Sequence, residues 1–241
     1  MNQKQKGFSN ILLIFLAVFV LAGVFGFYIF ISGKQENAFV LGQQKIQQNN
    51  ELLRAAEAKD LKEIQDLIKS GADVNAKDDY GFTALMRVSK NGNLEAVKEL
   101  IKAGADVNAK DYYGGNTALI YAATYGHTEI AKELIKANSE INARDYSEGN
   151  TALMFASLNG NDEIVKELIK AKAATGIKDY NEGNTALIYA ATEGNAQIVK
   201  DLIKARADVN AKNYQGKTAL SRAISNRNTE VIQILRNAGA K

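Results

Sequence analysis

One histidine, His127, and no cysteine are all that this 241-residue chain offers to nucleophile–base chemistry. General acid–base catalysis near neutral pH leans on imidazole, and a nucleophilic thiol or a zinc site needs cysteines or several histidines. A lone histidine supplies neither. The remaining chemistry-bearing groups are 27 Asp and Glu residues, from which a paired acid and base would have to be drawn. Most of these return at a fixed interval. Glu95/Glu99, Glu129/Glu133 and Glu163/Glu167 alternate with Lys98, Lys132 and Lys166, the spacing of solvated helix pairs that contribute roughly 0.2–0.5 kcal/mol each. Asp78, Asp111, Asp145 and Asp179 recur likewise, and a residue needed once per unit serves a turn. His127 stands where the other copies carry Asn93, Asn161, Asn195 and Asn228, so a structural duty explains it better than catalysis. The glycine-rich YYGGN from Tyr112 lacks the lysine and the strand-to-helix setting of a phosphate loop.

The interval points to the elements that position these residues. GNTALIYAAT is spelled from Gly115 to Thr124 and again from Gly183 to Thr192, and Thr-Ala-Leu begins at Thr83, Thr117, Thr151, Thr185 and Thr218. The spacings are 34, 34, 34 and 33 residues. In the third unit Thr117 is placed to cap a first helix that stops near Tyr125-Gly126, where glycine permits a left-handed turn. A second helix follows over Thr128–Lys136, with Ile130, Leu134 and Ile135 on one face and charges on the other. Val97/Leu100/Ile101, Ile164/Leu168/Ile169 and Ile198/Leu202/Ile203 repeat that stripe. A two-turn helix cannot bury such a stripe within its own unit, so neighbouring units must share one continuous core.

The phrase GFTALM…NGN…VKELIKAGADVNAKD from Gly81 to Asp111 resembles the ankyrin repeat, and the resemblance covers residues 51–241, about six units. It implies an all-α solenoid of helix-turn-helix units with hairpin loops projecting to one side. The chain departs from the family pattern at identifiable places. It contains no Pro, and Ala84, Ala118, Ala152, Ala186 and Ala219 stand at the family's proline. Met86, Ile120, Met154, Ile188 and Ser221 replace the family histidine, removing a polar tie between units, so stability has to come from elsewhere. The glycine after the second helix survives as Gly71, Gly104 and Gly239 but is Asn138, Lys172 and Arg206 in the middle units. A left-handed turn kept at the last two costs roughly 1 kcal/mol each. The stretch Lys172–Ile177, where Gly-Ala-Asp-Val-Asn dissolves into KAATGI, is expected to be the softest junction. The terminal units are atypical: the first, Glu51–Ala76, lacks Thr-Ala-Leu, and the last carries Arg236 at an apolar position.

Ahead of the array lie a short tail, residues 1–10, an apolar run, residues 11–31, and a polar Gln- and Asn-rich stalk, residues 32–50, compatible with a frayed helix. The 21-residue run holds no charge and as a helix spans ~30 Å, the thickness of a bilayer's hydrocarbon core. Its length favours an uncleaved transmembrane helix, a signal anchor, over a removed signal peptide. Lys4 and Lys6 in the tail place the N-terminus in the cytoplasm and the array outside it. The net charge of +3 belongs to this leader. Four of the 30 cations (Lys4, Lys6, Lys34, Lys45) and one of the 27 acids (Glu36) precede residue 51, leaving 26 of each in the array. A neutral array lacks the basic footprint that nucleic acid requires.

What remains for function is surface, with no cofactor and no metal expected. The resemblance implies a non-catalytic protein–protein interaction scaffold that binds a partner through its concave face and loop tips. Carried onto this chain, the face includes Lys90, Tyr121, Thr124, Tyr125, Phe155, Leu158, Tyr189, Glu193 and Arg222. The loop tips contribute Tyr112, Tyr113, Tyr146 and Tyr180. The repeated position held by Tyr121, Phe155 and Tyr189 is better explained by stacking between units, and bracing of adjacent hairpins is a second explanation for the loop tyrosines. Tyr125 and Leu158 have no counterpart in other units and are the sharper contact candidates. The alternatives are a secreted binder released by signal cleavage and a regulatory or inhibitory subunit of a membrane enzyme.

Overall fold

The computed structural model describes residues 33–241, with side chains from residue 41 onward. The apolar run 11–31 and the tail 1–10 lie outside the described residues. Among the described residues no helix is long and apolar enough to cross a membrane. The chain divides into two units, residues 1–47 and 48–241. The described part of the first is helical, the opening of helix α1, Gly33–Ala58. No Pro interrupts the stalk segment and its single glycine after residue 33 is Gly42, so nothing in the sequence stops the helix short of Ala58.

The second unit contains the array. Its helices are the last turns of α1, then α2 (Leu61–Lys69), α3 (Ala84–Asn91), α4 (Leu94–Lys102), α5 (Ala118–Tyr125) and α6 (Thr128–Lys136), followed by α7 (Ala152–Leu158), α8 (Asp162–Lys170), α9 (Ala186–Glu193), α10 (Ala196–Lys204), α11 (Ala219–Ser225) and α12 (Thr229–Asn237). These form six pairs, all-α, with no strand among the described residues and one isolated antiparallel bridge from Arg144 to Thr151. The inner helices α3, α5, α7, α9 and α11 pack in succession, as do the outer helices α2, α4, α6, α8, α10 and α12. Leu100, Leu134, Leu168, Leu202 and Leu235, one in each outer helix from α4 to α12, are fully buried, and Leu67 of α2 packs partly buried against the same core. Ile101, Ile135, Ile169 and Ile203 pack partly buried against the same core, while Arg236 is exposed. The periodic stripe is thus covered by the adjoining units, as the repetition required.

Local rules set the ends of each helix. The Thr83, Thr117, Thr151, Thr185 and Thr218 hydroxyls each accept the backbone N–H three residues on, at 3.2–3.4 Å, satisfying an orphan donor of the first turn. Gly126 ends α5 at φ 77, in the left-handed region. After the outer helices the same conformation is kept whatever residue stands there: Asn138 at φ 62, Lys172 at 64 and Arg206 at 63 beside Gly71 at 90 and Gly104 at 89.

The tie lost with the family histidine is replaced by bonds that step from one unit to the next. Asn49, Asn75, Asn108, Asn142 and Asn210 each present Oδ1 to a backbone N–H of the following unit, on Asp73, Asp106, Glu140, Ala174 and Lys241, at 2.7–2.9 Å. The series fails once, where Gly176 has no side chain to offer Asp208. The turn bond from Ala76 to Asp73, Ala109 to Asp106, Ala143 to Glu140 and Ala211 to Asp208 also has no counterpart between Ile177 and Ala174. A cavity of about 410 Å³ lined by Thr175, Gly176, Ala207, Asp208 and Asn210 opens at that seam. The expected soft junction therefore coincides with a missing rung rather than with an altered turn.

Candidate functional site: the inner face and loop tips

The loop aspartates are committed to the fold. Asp111 is 3% exposed; its Oδ1 accepts N–H bonds from Gly114 and Gly115, and its Oδ2 from Asn116 and from the Tyr121 hydroxyl at 3.0 Å. Asp179 repeats the arrangement with Glu182, Gly183, Asn184 and Tyr189. Carboxylates so fully satisfied have no lone pair left to take a substrate proton. Burial above all, and then the neighbouring carboxylate, raises both the Tyr121 and the Tyr189 phenols far above the ordinary value of 10.0. In the second unit Arg87 takes the tyrosine's place, pairing with Asp78 and, at 2.7 Å, with Glu57. Burial opposes ionisation of Asp78, but the Phe82 N–H and Arg87 outweigh it, and its carboxyl lies below the usual 3.8.

His127 closes the question it raised. Its Nε2 bonds the Lys90 carbonyl at 2.9 Å, just as the amides of Asn161, Asn195 and Asn228 bond Ala123, Ser157 and Ala191 in the preceding units. Gly92, Gly126, Gly160 and Gly194 lie against these residues so closely that a Cβ at Gly92 would meet the His127 ring at 2.7 Å. Histidine and asparagine here do the same work of joining units. Among the described residues no cluster of His, Cys, Asp and Glu is arranged to hold a metal.

The loop tyrosines also join units. Backbone N–H groups of Tyr112, Tyr146, Tyr180 and Tyr214 donate to Tyr80, Gly114, Glu148 and Glu182 of the preceding loop at 2.6–3.0 Å. Each ring covers the preceding loop's glycine, Gly81, Gly115, Gly149 or Gly183, where a Cβ would fall within 2.4–2.7 Å of it. Lys77, Lys110, Arg144 and Lys178 lie 4.9, 5.0, 4.0 and 5.9 Å from the same ring centroids, within cation–π range. Those cations donate in turn to the carbonyls of Lys110, Arg144, Lys178 and Lys212. The four tyrosines remain over half exposed, so one side of each ring is used and the rest faces solvent. Tyr113, at 74% the most exposed of the tyrosines described, lies 5.9 Å from Tyr80 between ring centroids.

On the inner face the repeat register exposes the exceptions. Asn91, Asn159 and Asn226 send their amides back to carbonyls of Glu57, Thr124 and Thr192; the same place holds Tyr125 in the third unit and Glu193 in the fifth, both exposed. One position earlier, the Thr124 and Thr192 hydroxyls bond their own helix at 2.8 Å, and between them the fourth unit has Leu158. Lys90 stands 5.9 Å from the Tyr125 ring. The structure gathers Leu158, Tyr189 and Glu193 around one recess of about 370 Å³, with Glu148, Glu182, Thr192 and Arg222. It does not bring Tyr125, Tyr112, Tyr113, Tyr146 or Tyr180 into that recess. Glu148 and Glu182 escaped the sequence reading, although their signal was present: the longer loops read DYSEGN and DYNEGN where the third unit reads DYYGGN.

These features define a linear array of stacked helix pairs whose distinctive residues lie on an open face, held together unit to unit. A family model described as ankyrin repeats (3 copies) matches residues 52–145 and 153–241. The chain belongs to the ankyrin-repeat family, whose members are generally protein–protein interaction modules. No curated protein matches it.

Proposed function

We propose that the protein is a non-catalytic interaction scaffold, tethered to a membrane through residues 11–31, that grips a protein partner with its inner face and loop tips. The observation that supports this reading is the division of labour among polar groups. The loop aspartates, which catalysis would need, are spent on the turns of their own units and His127 on a carbonyl of the preceding unit, while Tyr125, Leu158 and Glu193 occupy repeat positions yet make no side-chain hydrogen bond to a neighbouring unit. An exposed tyrosine and a half-buried leucine on a repeated framework are suited to burial by a partner, and tyrosine is enriched at binding hot spots. The tether rests on the length of the apolar run, and Lys4 and Lys6 support a cytoplasmic N-terminus with the array on the other side. Confinement to a bilayer surface raises local concentration, so a modest affinity suffices.

A photo-crosslinking residue placed in the full-length chain in cells tests the face. Adducts to a common protein are expected from positions 125 and 158 and not from position 98 on the outer helix. Equal adducts from all three positions, or none from the first two, would reject the assignment. Protease added to intact cells tests the topology: digestion of 51–241 is expected, and a protected array would overturn the orientation.

A further inference from the structure

We infer that the recess shared by units four to six receives a basic side chain, arginine or lysine, from an extended segment of the protein partner. This rests on the inner face being the binding face, and adds to it the chemistry of the guest.

Three independent features converge on it. The repeat pattern is broken here twice: Leu158 stands where Thr124 and Thr192 return a hydroxyl to their helix, and Glu193 where three other units spend an asparagine amide on the preceding unit. The recess, about 370 Å³, is near the lower end of the roughly 300–1,000 Å³ typical of ligand pockets, a size suited to a side chain rather than a helix. Its charges are unbalanced. Glu148, Glu182 and Glu193 line it with a single cation, Arg222, which is already 2.6 Å from Glu182. The Glu148 carboxylate accepts only from the Asn150 amide, at 2.8 Å, and the Glu193 carboxylate has no hydrogen-bond or ion-pair partner.

Such a lining selects its guest. Phosphate, an acidic peptide or a nucleic acid would meet uncompensated carboxylates, whereas a lysine or arginine would lay its methylenes on Leu158 and the Tyr189 ring and place its head among the acids. Arginine has the further advantage of a planar fork that matches a carboxylate with two donors. A recess of about 470 Å³ at the other end of the array, between units one and two, shows the contrast. There Arg54 and Arg87 balance Glu57 and Asp78, and Arg87 pairs with both acids, so no carboxylate is left without a cation to attract a basic guest.

The test is selection from a random peptide library displayed on phage against the full chain in detergent micelles, followed by affinity measurement on the selected peptides. Enrichment of arginine or lysine at one position is expected, with about tenfold weaker binding when that arginine becomes citrulline or that lysine acetyl-lysine, the uncharged counterparts, or when the chain carries Glu148→Gln and Glu193→Gln together. Glu129→Gln on the outer helix is expected to leave affinity unchanged. Selected peptides without a shared cation, or undiminished binding by the double variant, would overturn the inference. If those peptides are still lost on Leu158→Ala, the inner face stands as the binding surface and only the charge assignment falls. If they ignore Leu158→Ala and Tyr125→Ala alike, both fall together.

Discussion

At the scale of single residues, the array separates side chains that join units from side chains that are merely tolerated. Ser89 and Ser157 belong to the second kind: both are fully buried, and their hydroxyls have no hydrogen-bond partner. The equivalent residues of the third and fifth units are Ala123 and Ala191. Ser157→Ala is therefore expected to stabilise the array by about 1 kcal/mol, the cost of burying an unsatisfied polar group, measured as a rise in the urea midpoint with an unchanged slope. A loss of stability would mean that the hydroxyl is satisfied in solution. Tyr121 and Tyr189 instead tie an inner helix to the loop aspartate of its own unit, and pH exposes them. Their neutral phenols are favoured in the folded chain by burial first and by Asp111 and Asp179 next. Because the folded value is raised above the unfolded 10.0, the stability they contribute is complete below pH 10 and is lost as pH climbs beyond it. Of the ten tyrosines, these two are expected to ionise last in an absorbance titration, and Tyr121→Phe with Tyr189→Phe is expected to remove that late phase. A single transition near 10 in the parent chain would contradict the buried bond to aspartate.

At the scale of elements, helices and caps were legible in the sequence because they follow from local chemistry. Thr117, Tyr125-Gly126 and Thr128–Lys136 fall where capping, glycine and apolar period put them, and the place of the missing rung, within Lys172–Ile177, was marked in the sequence by a lost phrase. The bonds between units were not legible. Nothing about Asn75 or Asn142 in isolation says that its Oδ1 meets a backbone N–H some 31 or 32 residues on, since that depends on the rise and rotation from one unit to the next. The same holds for the recess: Leu158, Glu148, Glu193 and Arg222 come from three units, and only stacking brings them together. The missing rung yields an element-scale prediction. Gly176→Asn supplies the absent acceptor to Asp208, and the open space around Gly176, with no atom within 4 Å of an added Cβ, admits the side chain. The substitution is expected to add about 1 kcal/mol, one hydrogen bond plus the entropy that glycine brings to the unfolded chain, and to slow hydrogen exchange in α11 and α12. Unchanged exchange there would show that the seam does not limit the stability of the last units.

At the scale of the whole array, stacking makes the effect of a core defect depend on where it lies. Leu134 and Leu235 provide a controlled comparison, being the same residue at the same repeat position, each fully buried, one in the third outer helix and the other in the last. Cutting either to alanine removes comparable apolar contact and costs about 2–5 kcal/mol locally. Leu134, however, lies at a seam with described units on both sides, whereas Leu235 lies in the last described helix pair. In a chain of nearest-neighbour couplings the central defect weakens the link through which each half supports the other, and the terminal defect frays one unit. Leu134→Ala is accordingly expected to lower hydrogen-exchange protection on both flanks and to broaden urea unfolding toward two steps. Leu235→Ala is expected to expose α11 and α12 while the first four units keep their protection. Equal loss throughout the array from both substitutions would mean that all units fold as one closed cooperative body, and the stability of a face assembled from three units would then be set globally instead of by the seams beneath it.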